Sequence, residues 1–412
     1  MKTFAGKRIL MIVENNSYPG DGRVRKEAQA LTSAGYQVSV ISPKDPNQSW
    51  REEINGVSVF RYPAPLEADG MFGYFWEYSV SLASAFILSL VVLFGRGFDV
   101  LHAHNPPDIF VLLALVFKPF GKKFVFDHHD LSPEMYMARF DNQGNKFLFN
   151  ILVQFEILTC RVANHIIATN ESYKAMEIER SGVPEDKITV VRNGPDLNRL
   201  KIVEPDPKLR SMGKTIFGYV GVMGYQDGID YFLRALHHLI HDIGRTDFYA
   251  VLIGDGDAWE SLQAETAKLE LEDYVWFTGP ISDDNHLSYL LCSTDICVDP
   301  DPYNPYNDRS SMIKMTEYMA LAKPIVAFDL REHRVTAQEA AIYADKNNEL
   351  DFAKQLALLM DNPEKRDQMG KFGRRRIEAE LSWHHQQQNL IRAYHKISES
   401  TPELVREQKM SS

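Results

Sequence analysis

Cysteine is scarce. Cys160, Cys292 and Cys297 are the whole supply, odd in number and not spaced as metal ligands, which excludes a disulfide framework and suits a reducing cytoplasm. Basic charge is in deficit, 45 Lys and Arg against 56 Asp and Glu for a formal charge of -11, which argues against a general nucleic-acid binder, although local basic patches survive it. Repeats, a glycine period and low-complexity tracts are missing, which removes solenoids, collagen and disordered chains. The opening MKTFAGKRILMIV turns polar too soon to read as a signal peptide. Long apolar runs are few. Val80 to Phe94, VSLASAFILSLVVLF, is shorter than the roughly 20 apolar residues that span a bilayer. It reads as a core helix or as a helix lying at a membrane surface, with the aromatics Phe72, Tyr74, Phe75 and Trp76 just upstream. Ile109 to Phe117 reads as a second, buried helix.

What is present is strand, turn and helix in alternation. Ile9 to Val13 is a continuous apolar run, as a strand buried on both faces requires. Asp21 is placed to cap a helix whose Val24, Ala28 and Leu31 share a face, and Gly35 ends it. Further strands are expected at 38–41, 57–60, 99–103, 123–126, 165–168 and 188–191. The pattern weakens from Asn193 to Met212, which reads as a linker, and restarts at 216–220, 248–253, 275–277, 296–298 and 325–327. A long helix is expected over 374–397, followed by a frayed polar tail. Such alternation implies parallel sheets in two α/β halves, with ligands at the carboxyl ends of strands and a cleft between the halves.

Several segments carry candidate chemistry. In the turn NNSYPGDGR, Gly20 and Gly22 allow close backbone approach before a helix start, although the spacing is not GxGxxG. His102 and His104 point to one face at a strand end, and Asp127, His128, His129 and Asp130 end the next strand; together the four histidines suit a metal-dependent hydrolase, or else one or two of them are cleft or hydrogen-bonding histidines without metal. In SSMIKMTEYMALAKPIVAFD, Ser310 or Ser311 is placed to cap a helix on which Lys314 and Glu317 are neighbours. They form a surface ion pair, or else Glu317 accepts from a ribose diol while the helix start and Lys314 hold a pyrophosphate. LIGDGD at Leu252 to Asp257 is a tight turn or a close approach to a ring or phosphate.

Taken in order, these segments resemble family 4 glycosyltransferases, through DGRVRKEAQALTSAG, DVLHAH, VFDHHDLSPE, HIIATNESYKAMEIERSGVPEDKITVVRNGPD, YVGVMGYQDGIDYFLRAL, LIGDGD and TEYMALAKPIVAFD. The string from Asn307 to Ala344 resembles a branch met in bacterial surface and exopolysaccharide assembly. The resemblance implies an α/β GT-B fold: an acceptor-side domain over 1–198, joined by a C-terminal helix over 383–400, and a donor domain over 199–382. It implies a retaining transferase that needs no metal and no cofactor beyond its nucleotide-sugar substrate, a UDP-sugar in first place. The acceptor is then a glycan or polyprenyl-linked sugar, and the enzyme is cytoplasmic or peripheral on the inner membrane face.

By position, His129 matches the family's cleft histidine, with His128 as a competing neighbour. Glu317 matches the ribose-binding glutamate of E-x7-E, whose first glutamate is here replaced by Arg309. Gly20, Gly22, Gly221, Gly224 and Gly254 match donor-side glycines. Val222 and Asp227 stand where the family's donor loop carries Arg and Lys, so Arg309, Ser311, Lys314 or the Arg331 to Arg334 loop would meet the diphosphate. A GT-B sugar-nucleotide epimerase is the alternative on the same fold.

Overall fold

The computed structural model describes residues 8–64, 70–140 and 143–399. The expected N-terminal reading on residues 1–7 and the polar tail from residue 400 lie outside them. The chain forms two compact units, Met1–Val191 with Gln387–Ser412, and Arg192–Gln386.

The first unit holds an eight-stranded sheet: β1 (Arg8–Ile12), β2 (Gln37–Lys44), β3 (Arg51–Ile54), β4 (Val57–Pro63), β5 (Val100–His104), β6 (Lys123–His128), β7 (His165–Ala168) and β8 (Ile188–Val190). Its order is β3-β4-β2-β1-β5-β6-β7-β8, parallel throughout except for the β3–β4 hairpin. The helices are α1 (Gly22–Ser33), α2 (Gly70–Gly95), α3 (Val111–Phe117), α4 (Ser132–Arg139), α5 (Lys146–Val162) and α6 (Glu171–Ser181). Strand order reverses between β1 and β5, because the chain builds outward from β1 to β4 and then returns to β1's other side.

The second unit begins with α7 (Pro207–Ser211) and β9 (Thr215–Val220), followed by α8 (Ile229–His241), β10 (Phe248–Ile253), α9 (Trp259–Lys268) and β11 (Val275–Gly279). Then come α10 (Asp284–Ser293), β12 (Ile296–Asp299), α11 (Ile313–Ala320), β13 (Ile325–Phe328), α12 (Arg331–Ala337), β14 (Ala341–Ala344), α13 (Glu349–Met360) and α14 (Pro363–Arg376). The six strands lie in the order β11-β10-β9-β12-β13-β14, all parallel. Here the reversal falls between β9 and β12. Both sheets are buried on two faces, which is why their strands read as apolar runs.

Some local expectations are corrected. The stretch 193–212 is not an open linker: α7 forms within it, and Leu200 and Leu209 enter the core of the second unit. The boundaries fall at 191/192 and 386/387 rather than at 198/199 and 382/383. Two segments knit together inside the second unit: the Trp383 amide donates to the Pro195 carbonyl (3.0 Å) and that of Arg192 to Gln386 Oε1 (3.1 Å). A Cβ on Gly194 would lie 2.1 Å from the Leu381 carbonyl, so only glycine allows this approach. The helix expected over 374–397 is interrupted: α14 widens into a π turn at Ile377–Leu381, Ser382 is extended, and α15 (Trp383–Glu399) starts anew. Residues 109–117 are not wholly buried, since Leu112, Leu115 and Val116 face outward. The cap of α11 is Met312, not Ser310 or Ser311.

Candidate functional site

The first cluster sits at the reversal in the first sheet. The Asp21 side chain accepts from the Val24 amide (2.8 Å) and starts α1, which sets Arg23 and Glu27 one turn apart. On the neighbouring strand ends, His104 of β5 is in register with Asp127 of β6. The Arg23 guanidinium grips Asp127 with two hydrogen bonds, Nε to Oδ2 at 2.8 Å and NH2 to Oδ1 at 2.7 Å. Its other arm donates to the Val191 carbonyl (3.1 Å), and Glu27 Oε1 lies 3.2 Å away. His104 Nδ1 is 2.9 Å from Asp127 Oδ2, His102 stacks on His104 with centroids 4.4 Å apart, and His102 Nδ1 is hydrogen-bonded to Tyr394 Oη at 2.7 Å. Tyr394 comes from α15, so the last helix completes this site.

The electrostatics follow from burial and from that grip. Burial opposes ionisation of Asp127, but Arg23 outweighs it and holds the carboxyl well below the usual range. Burial, then the charge of Asp127, pushes Glu27 well above it. His102 falls well below its ordinary value through burial and the neighbouring His104. Burial would also lower His129, but the Asp127 carboxylate prevails and raises it. His129 Nδ1 lies 4.0 Å from Asp127, with its side chain at the edge of the cluster. Its loop is cinched by Asn105, whose Oδ1 accepts from the His129 amide (2.8 Å) and whose Nδ2 donates to the Asp130 carbonyl (2.6 Å).

His128 points the other way, because successive residues of a strand face opposite sides. Its Nδ1 is 2.9 Å from Glu177 on α6, and its Nε2 is 3.9 Å from Glu156 on α5. Burial opposes protonation there, yet the bond to Glu177 raises His128 to about 9. The four-histidine centre expected of a hydrolase is therefore not assembled. Glu27, His102, His104 and Asp127 do bring four possible ligand atoms within 4.8 Å of one another. Both Asp127 oxygens are already taken by a guanidinium, a fixed cation where a metal would need that carboxylate.

The second cluster sits at the reversal in the second sheet. The loop after β9 needs glycine. Gly221 and Gly254 have φ of 153° and 133°, and a Cβ on Gly254 would lie 1.9 Å from the Gly221 carbonyl. Gly224 donates its amide to Asp227 Oδ2 (2.9 Å), so the residue standing where the family has lysine caps its own loop. Lys314 of α11 is buried, with Nζ 2.6 Å from Asp301 Oδ1 and 3.4 Å from Asp299 Oδ1, and it lies over the Tyr219 ring at 5.0 Å. Burial disfavours its charge, but Asp299 and Asp301 overcome that and raise it. Burial pushes Asp301 well above its usual value, helped by Asp299, and it also raises Asp227. Asp299, Asp301 and His333 group three possible ligand atoms within 4.8 Å, again around a resident cation, Lys314.

Residues 23–199 match the family model Glycosyltransferase Family 4, and residues 214–362 match Glycosyl transferases group 1. An uncharacterized glycosyltransferase of Methanocaldococcus jannaschii is 27% identical over 311 residues, covering 73% of this chain and 73% of that protein. Among solved structures, sucrose-phosphate synthase from Thermosynechococcus elongatus superposes with a TM-score of 0.79 at 18% identity, over 96% of this chain and 100% of that one. Anabaena HepE, solved in complex with UDP and glucose, gives 0.72 at 16% identity, over 95% and 100%. The chain is a glycosyltransferase of the GT-B fold. The comparisons favour neither the epimerase nor the hydrolase.

In this glycosyltransferase the expected site residues separate into two groups. His129, Gly20 and Gly22 belong to the first unit; Gly221, Gly224, Gly254, Arg309, Ser311, Lys314 and Glu317 belong to the second. Ser311 Oγ donates to Glu332 Oε2 (3.2 Å) and accepts from Arg192 (3.3 Å), beside a small hollow at the start of α11. Arg309 is half-buried and donates to the Pro305 carbonyl (2.9 Å). Lys314 does not pair with Glu317, which is half-buried one turn further along α11. Arg23, Glu27, Asn105, Asp299, Asp301, His333 and Tyr394 had no place in the sequence reading as site residues. The i,i+4 pair Arg23 and Glu27 is the one signal that could have flagged any of them.

Proposed function

We propose that this glycosyltransferase retains anomeric configuration and moves a sugar from a nucleotide-sugar, a UDP-sugar in first place, to a glycan or polyprenyl-linked acceptor in surface polysaccharide synthesis. The observation that carries the reading is the pairing of sheet and chemistry. Each sheet puts its charged and glycine-rich residues at the carboxyl ends of strands on either side of its reversal, where α/β sheets bind ligands. The UDP and glucose held by Anabaena HepE support the donor class. Departure of a nucleoside diphosphate needs charge stabilisation. His129, raised by Asp127, supplies a hydrogen-bond donor to the reacting sugar. Glu317 accepts from the ribose diol. Gly221, Gly224 and Gly254 let backbone approach the nucleotide, Gly20 and Gly22 approach the diphosphate, and Arg309 and Ser311 lie close enough in sequence to Glu317 to reach it too. Lys314 acts through the Asp227 loop, since its ammonium is buried against Asp301. The transfer needs no metal in this scheme. Three free, buried cysteines agree with a cytoplasmic enzyme, and α2 suits a position at the inner membrane face, where a lipid-linked acceptor is met.

Titration calorimetry with UDP, GDP and ADP, without added metal, tests the donor reading. UDP is expected to bind wild type most tightly and to lose that affinity in Glu317→Ala. Equal affinity in the variant sinks the ribose role, and binding by none of the three nucleotides sinks the donor reading.

A further inference from the structure

Helix α2 is built inside out for a helix on a water-facing surface. Its stripe Ser81, Ala85, Ser89 and Val92 is fully buried, and the helix packs on β1, β2 and β4. The opposite stripe, Ala83, Ile87, Val91 and Phe94, is exposed, with Ile87 at 61% and Phe94 at 84%. Small residues thus face the sheet and large apolar ones face out, the reverse of an ordinary amphipathic surface helix. Trp76–Gly95 is long and apolar enough to cross a membrane by length and composition. The buried stripe on the sheet rules out spanning, because a spanning helix cannot keep one face on a water-soluble domain.

A second element extends the patch. Phe117 of α3 packs on Phe86 of α2 (centroids 6.2 Å apart), so the two helices meet at that ring. On the outer side of α3, Leu112, Leu115 and Val116 are exposed, and Phe120 in the turn that follows is 75% exposed. Contiguous apolar surface of this kind marks an interaction site. Its edge is basic, although the chain is acidic overall. Arg96 follows α2 directly, Arg8 NH1 donates to the Arg96 carbonyl (3.1 Å), and Lys122 Nζ stands 5.5 Å from the centroid of the Phe98 ring. Phe98 in turn packs on Phe117 at 5.2 Å. Lys118 and Lys123 lie in the same turn and strand start. The nearby acids are Asp99, paired with Arg8, and Glu53, paired with Arg96.

We infer that the first unit docks on an anionic lipid surface through a belt shared by α2 and α3, with the apolar faces of both helices in the acyl boundary and the Arg96–Lys122 edge against acidic headgroups. This rests on the lipid-linked acceptor reading and adds to it a second element and a lipid charge. Apolar burial gives the anchoring, and each cation near an anionic surface contributes about 1 kcal/mol.

Vesicle flotation tests it, with phosphatidylcholine alone and with phosphatidylcholine mixed with phosphatidylglycerol. Wild type is expected to bind the mixed vesicles about tenfold or more tightly than the neutral ones. Arg96→Glu/Lys122→Glu should erase that preference, and Val91→Ser/Phe94→Ser/Phe120→Ser should weaken binding to both vesicle types. Val91, Phe94, Arg96 and Phe120 are exposed and Lys122 is half-buried, and UDP titration of the same preparations reports whether donor binding survives, apart from docking. Equal wild-type binding to both vesicle types overturns the anionic edge. Loss in an α2 variant but not in Phe120→Ser overturns the shared belt. Binding to neither vesicle, with self-association that Val91→Ser/Phe94→Ser abolishes, overturns the lipid and makes a second copy the occupant.

Discussion

The two buried clusters occupy equivalent places in their sheets and solve the same problem in opposite ways. In the first unit a guanidinium fork saturates one carboxylate, which holds Asp127 well below the usual range while Glu27 and His129 are both raised. In the second unit one ammonium faces three carboxyls, Asp227, Asp299 and Asp301, and burial raises two of them. A planar fork fixes charge and direction together, whereas an ammonium among several acids fixes charge alone. The first arrangement is suited to orienting a histidine. The second is suited to holding a glycine loop in place.

The sharpest test of that contrast removes each cation. Arg23→Met leaves Asp127 buried and uncompensated, which costs about 3–5 kcal/mol of stability. Lys314→Met should cost less, about 1–3 kcal/mol, because carboxyls already raised toward neutrality can take up a proton. Denaturant unfolding near neutral pH measures both. Equal losses would break the comparison.

A second contrast lies inside the first unit, between two adjacent histidines. His128 is raised to about 9 in the folded chain, against an ordinary value near 6.5. Its stabilising contribution is full below about 6.5 and is lost as pH rises toward 9; over that window it amounts to about 3 kcal/mol. His128→Gln should flatten the fall in stability over that range. A fall as steep as that of wild type would place the proton elsewhere.

His129 should show the converse: little effect on stability and a large one on turnover. Loss of one well-placed donor to developing charge costs about 10²-fold or more in kcat. His129→Ala is expected to do this with donor affinity within a factor of a few. A change in stability without a change in kcat would make His129 a packing residue.

Much of the fold was legible because buried parallel strands are continuous apolar runs. Every strand expected from the sequence forms, with ends shifted by a residue or a few. Strand β3, which pairs with the expected β4, was missed because Arg51–Ile54 is a polar edge strand with no apolar run. The break at Ser382 was missed because local propensity favours helix on both sides, and what decides it is the long-range pairing of 381–383 with 194–195. At the site, glycines and histidines were legible by type and spacing. Partners were not. Lys314 reads from the sequence as a neighbour of Glu317, yet the fold gives it Asp301, because burial makes a carboxylate on the adjoining strand end a stronger partner than one on the solvent side of its own helix.

The smallest expected effect tests whether α15 belongs to the first cluster. Tyr394 lies far from His102 in sequence, yet its hydroxyl is 2.7 Å from His102 Nδ1, and both are buried. Burial and the neighbouring His104 keep His102 neutral, so one ring nitrogen needs a neutral partner, and a tyrosine hydroxyl provides one without adding charge beside Arg23. Tyr394→Phe keeps the ring packed on Tyr36 and removes only that bond, for about 1 kcal/mol. If α15 is part of the cluster, the same variant should also lower the imidazole exchange protection of His102 and His104, read by NMR. A loss of stability with unchanged histidine signals would mean that α15 seals the sheet without touching its chemistry.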